Sequence, residues 1–170
     1  MENFYSGSFI AKWWKRLAVE TYTIYCRPLS SHGTWDGAEP FGPSQNISYT
    51  GPIAVLTRAT IRFSKLNRFW PNVDKVAKLM NKSPGFVLSF GVGEAPYYRQ
   101  ATFSVWRGLE DVKTFAYRSE EHKEVIRKTR EENWYSEELF ARFEPYRSMG
   151  TIHGKDPLGE LLISINESIS

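Results

Sequence analysis

A chain of 170 residues with 41% hydrophobic and 24% charged residues has the make-up of a globular protein, long enough for one domain plus a fragment. A net charge of +3 is too slight to argue for nucleic acid, and a lone Cys26 excludes an intrachain disulfide framework and any cysteine-based metal site. No apolar run approaches the roughly 20 residues of a membrane-spanning helix, and the first residues lack the apolar stretch of a secretory signal, so a cytoplasmic location is expected.

Phe9–Val19 reads as a short basic, aromatic helix. Its Lys12–Arg16 stretch, with Trp13 and Trp14, suits either the last helix of a partial module or peripheral contact with a membrane. Thr21–Arg27 is β-prone and leads into Ser31–Gly42, S-H-G-T-W-D-G-A-E-P-F-G. This segment recurs 117 residues later as Ser148–Gly159, S-M-G-T-I-H-G-K-D-P-L-G, with Pro28 and Pro145 extending the match upstream. A repeated ending implies a repeated module. Residues 1–42 are therefore read as the end of a first module, 43–51 as a linker, 52–158 as a complete module and 159–170 as a tail.

Within the complete module, Ile53–Phe63 has the two-residue period of a strand: Val55, Thr57, Ala59 and Ile61 face one way, Leu56, Arg58, Thr60 and Arg62 the other. A helix follows from Ser64, its expected N-cap, and Pro71 should kink or split it. Phe86–Val92 and Tyr97–Trp106 read as strands. On the latter, Ala101, Phe103 and Val105 form one face, and Gln100, Thr102, Ser104 and Trp106 the other. Helical segments follow over Leu109–Tyr117 and from Ser119 to about Glu132, and Leu139–Arg147 is the last strand. The order β-α-β-β-α-β is that of an α+β, ferredoxin-like module with an antiparallel sheet and helices on one face. The other face needs a cover, which a partner sheet would supply. RNA-binding domains share this order, but Tyr97–Trp106 lacks their Lys/Arg-Gly-aromatic signature.

Among residues able to carry chemistry, His122 lies on the helical stripe Val112, Phe115, His122, Ile126. Such a His either ligates haem iron or sits as a solvent-facing or satisfied histidine in the run E-E-H-K-E. Arg58 and Arg62, charged on a buried strand, need a partner: an anionic ligand group or a salt bridge. Gln100, Thr102, Ser104 and Trp106 either line a pocket with Arg58 or form a wet sheet face. Glu137 and Glu138 are candidate general bases or solvated charges. His32 and His153 read as loop histidines.

Several motifs in one order carry a resemblance. These are Leu56-Thr57-Arg58-Ala59-Thr60-Ile61-Arg62, Arg68-Phe69-Trp70, Gly91-Val92-Gly93-Glu94, Gln100 to Trp106, Phe115-Ala116-Tyr117, His122, and Trp134 to Phe143. The sequence resembles the spheroidene monooxygenase family, ketolases of acyclic carotenoids, over about residues 10–158. The resemblance implies tandem modules of the dimeric α+β barrel type, a homodimer, and a haem-dependent monooxygenase. It implies His122 as axial ligand to the haem iron, with Arg62 and Phe115 beside the haem. Arg58, Gln100 and Trp106 become pocket residues for a lipophilic substrate, and electrons come from an external donor or redox partner. Two other readings remain: a non-catalytic haem- or lipid-binding barrel, and a cofactor-free barrel monooxygenase.

Overall fold

A computed structural model describes residues 8–42, 49–95, 97–118 and 120–163, with the side chains of Lys15, Arg118, Glu120, Glu121 and His122 outside the described set. Strands β1 (Tyr22–Gly33), β2 (Ile53–Ile61), β3 (Phe86–Ala95), β4 (Arg99–Trp106) and β5 (Tyr135–Gly150) form one sheet in the order β1-β5-β2-β4-β3. All neighbours are antiparallel. Helix α1 (Phe9–Leu17) precedes β1, α2 (Leu66–Asn81) joins β2 to β3, and α3 (Leu109–Arg118) and α4 (Glu120–Glu131) join β4 to β5. From β2 onward this is the expected α+β, ferredoxin-like order.

Register decides which residues share a face, because residues opposite each other in an antiparallel pair point the same way. Ile53 faces Trp106 and Val55 faces Ser104. This side lies under the helices, where Ile53, Val55, Trp106, Val112 and Phe115 are buried against Val76, Leu79 and Met80. On the opposite side Ala54, Val105, Leu88, Ala141 and Phe143 form a second core. The chain itself covers part of that side. Leu158 and Leu162 are buried on it, and Phe41 packs edge-on against Phe143 with ring centres 4.9 Å apart. The cover expected from a partner sheet is thus supplied in part by the two Gly/Pro-rich endings, which fold back over the sheet.

Several local features differ from expectation. The last strand starts at Tyr135, so Glu137 and Glu138 lie within it. Pro71 sits inside a continuous helix. Lacking an N–H, it leaves the Asn67 carbonyl without its helical donor. Ser64 does not cap that helix; it lies in a 3-10 turn, Phe63–Lys65. Residues 159–163 are helical, and linker residues 43–48 and the tail from 164 lie outside the described set. No described helix is long and apolar enough to cross a membrane.

Positions 117 apart behave alike. Tyr22 pairs with Gly150, and Gly33 with Leu139. The register skips Leu29 in β1 and Tyr146 in β5, again 117 apart. The two endings match in backbone: Gly33 and Gly150 have φ of 88° and 95°, Asp36 and His153 50° and 52°, and Gly37 and Gly154 76° and 73°. A methyl group at Gly33 or Gly150 would sit 2.1 Å from the Glu138 carbonyl oxygen or 2.0 Å from that of Thr21, which explains glycine at both. Trp35 bridges Ala38 as Ile152 bridges Lys155. Arg27 pairs with Glu144, itself 117 residues on, through an ion pair of 2.8 Å.

Candidate functional site

At one end of β2 a charge cluster is built around Arg58, which is 2% exposed. The strand alternation turns Arg58 away from the helices, opposite Ala101 and Leu139. Glu94, at the end of β3, takes it in a bidentate grip: Nη2 donates at 2.9 Å, and Nε at 3.2 and 3.3 Å. Nη1 donates to Glu137 Oε2 at 2.6 Å. Asp36 accepts from Nη2 at 3.4 Å and pairs with Arg99 at 3.2 Å. Trp35 lays its ring 4.9 Å from the guanidinium carbon, a geometry that attracts a cation. Burial works against the charge on Arg58, but the Glu94 and Glu137 carboxylates outweigh it and raise its pKa.

The turn after β1 does the positioning. Asp36 adopts a positive φ that sends its carboxylate toward Arg58, and the next amide, on Gly37, donates to Glu137 Oε1 at 2.9 Å. Thr34 Oγ1 donates to the same oxygen at 2.8 Å. The Gly37 N–H, followed by Arg58, holds the Glu137 carboxyl down to about 2, against an ordinary value of 4.5. Its folded pKa lies below the unfolded one. The stability it lends is therefore complete above about pH 4.5 and is lost as pH falls through about 2. The melting temperature should drop across that window, and Glu137→Gln should flatten that part of the profile. An equally steep acid limb in the variant would refute the assignment.

The structure separates the other residues singled out in the sequence. Gln100 lies opposite Ala59 and Gly93 on the helix-covered side, as does Trp106, so neither shares a face with Arg58. Trp106 is 1% exposed, its Nε1 donates to Ser104 Oγ at 3.0 Å, and it packs on Phe86 and Phe115 at 5.4 and 5.2 Å. It is a core residue at the opposite end of the sheet from Arg58. Phe115 is likewise buried there. Arg62 is exposed just past the far end of β2, its backbone N–H donating to Trp134. His122 belongs to α4, and its side chain lies outside the described set.

These positions bear on haem. Phe115 contacts Trp106, which pairs with Ile53, while Arg62 lies nine residues along the same strand. Phe115 thus packs at the Ile53 end of β2, and Arg62 follows its other end. Trp35, Asp36 and Glu94 were not foreseen as partners of Arg58. The available signal was the difference between the two endings, where T-W-D-G places an aromatic and an acid and T-I-H-G does not.

Residues 53–142 match the family described as a domain of unknown function, DUF3291. The chain belongs to that family. The DUF3291 match includes Arg58, Glu94 and Glu137 and leaves out Trp35 and Asp36. The resemblance read from the motifs is borne out. The chain is 42% identical over 150 residues to a spheroidene monooxygenase of Cereibacter sphaeroides, covering 88% of this chain and 46% of that protein. It is 38% identical over 154 residues to one of Rhodobacter capsulatus, covering 89% of this chain and 64% of that protein. This DUF3291 chain thus spans about half to two thirds of the length of these relatives. A solved structure, a proposed monooxygenase of Fusobacterium nucleatum, shares the fold, with a TM-score of 0.55 at 11% identity over 88% of this chain and 65% of that one.

Proposed function

We propose that the chain is an oxygenase of the spheroidene monooxygenase type that inserts oxygen into a lipophilic, carotenoid-like substrate. The observation that carries this reading is an apolar strip beside the charge cluster. On the face shared with Arg58, Leu56 lies across from Phe103 and Phe103 across from Phe90, with Val92 next along β3. Phe90 and Val92 are 40% and 48% exposed. A run of uncovered carbon on a sheet face suits a long hydrocarbon. The buried ion cluster at its end suits a polar terminus, with Arg58 as a positioning residue that holds Glu94 and Glu137. The names and sequence identity of the curated relatives support the oxygenase chemistry.

In such a reaction one atom of dioxygen enters the substrate and the other leaves as water, with two electrons and two protons from an external donor. No step is assigned to haem, whose candidate ligand His122 has its side chain outside the described set. The repeated hydrogen bonds and φ values at 117-residue spacing support a duplicated architecture, with residues up to 42 ending one module and 52–158 forming the next.

The test is incubation with spheroidene, a chemical reductant and 18O-labelled dioxygen, with and without added hemin, read by mass spectrometry. One labelled oxygen in the product is expected. Incorporation only with hemin would restore haem, and incorporation without it would favour the cofactor-free form. Substrate binding without incorporation in either arm would overturn the oxygenase reading.

A further inference from the structure

We propose that the free edge of β1, together with the apolar face of α1, is a docking site for one further antiparallel strand that carries an arginine. That strand would come from a separate ferredoxin-like segment. β1 is an outermost strand whose only described neighbour is β5. An open edge is a template for strand addition. Among the described side chains of helix α1 only Ala11 is buried, while Phe9, Trp13 and Leu17 are 82%, 54% and 62% exposed, with Ile10 and Trp14 also uncovered. These five side chains fall on one side of the helix, within an arc of about 140° at helical spacing. A helix with such a stripe is built to lie on a sheet, and no described sheet lies beneath it.

The relation between positions 117 apart supplies the register. β2 pairs with β5, placing Ala54 opposite Phe143, Leu56 opposite Ala141 and Arg58 opposite Leu139. The residues 117 earlier are Cys26, Ile24 and Tyr22, so the counterpart strand would run along β1 with its arginine opposite Tyr22. Two positions further lies Glu20, the counterpart of Glu137. Both carboxylates hold a turn: Glu20 accepts from Thr151 Oγ1 at 2.7 Å, His153 N at 2.8 Å and Gly154 N at 2.6 Å. Glu137 also meets Arg58, whereas Glu20 has no lysine or arginine in ion-pair range among the described residues. A guanidinium is the group that completes the match. The occupant is not β2 itself, which is held on both sides by β5 and β4.

This assignment does not depend on the oxygenase reading, because binding is read without turnover. A fluorescein-labelled peptide of residues 51–63, which has the β2 pattern, is titrated with the full chain. Saturable binding is expected, with a blue shift in tryptophan emission as Trp13 and Trp14 are covered. Glu20→Gln should weaken binding about tenfold, as should glutamine at the Arg58 position of the peptide, and a scrambled peptide should not bind. The peptide change leaves the protein untouched, so the result stands even if Glu20→Gln unfolds the chain. No saturable binding, or binding indifferent to both changes, would overturn the proposal. So would self-association of the chain that excludes the peptide, since that would put a second copy on the edge.

Discussion

Arg58→Ala should destabilise the fold by about 3–5 kcal/mol, the range for removing one partner of a buried ion pair. The guanidinium has no solvent-exposed surface, and three carboxylates from three parts of the chain converge on it. Without it, Glu94 and Glu137 face each other with side chains about one-fifth exposed. Because water still reaches them, and Asp36 more so, the loss should fall toward the lower end of that range. Urea unfolding of the variant beside the parent measures it. Adding Glu94→Gln and Glu137→Gln to Arg58→Met should recover part of the loss, since the uncompensated charges are then gone. A loss below about 1 kcal/mol for Arg58→Ala would mean a cluster far wetter than its burial implies.

Trp106→Ala should cost a similar amount, about 3–5 kcal/mol, through a different cause. The indole is enclosed by Phe86 and Phe115 in the core between sheet and helices. Truncation leaves a cavity that rigid neighbours fill poorly, and orphans the Ser104 hydroxyl that its Nε1 donates to. The denaturation midpoint should fall with little change in slope. Trp106→Phe should cost much less. A near-neutral alanine variant would contradict the packing described for this core.

The contrast between these two residues shows how far the sequence could be read. The alternation on β2 placed Arg58 and Leu56 on one side and Val55 and Ile61 on the other, because helices cover one face only and the pattern records that. The repeated endings were visible because their turns require glycine where φ is positive, at Gly37 and Gly154 for instance. That Gln100 and Trp106 lie on the face turned away from Arg58 was not recoverable. Alternation sorts the residues of one strand into two sets, but which set of the next strand joins them depends on register, and a slip of one residue exchanges the sets. The partners of Arg58 were hidden for a related reason. Asp36 and Glu94 stand 22 and 36 positions away, brought near only when β1 and β3 take their places. Of the two outcomes expected at Pro71, a split is excluded, since the helix runs through it from Leu66 to Asn81.

The pairing of Arg27 with Glu144 has a consequence for how such a molecule can be assembled. Under the 117-residue relation each of these positions is the other's equivalent, so the pair sits on the local two-fold axis. Two identical polypeptides crossing at that point would set a residue against its own copy, Arg on Arg or Glu on Glu, and repel. A single polypeptide that supplies both strands is released from that identity and can place opposite charges there. Sequence divergence between the two strands thus converts the one spot where symmetry enforces like against like into an attraction.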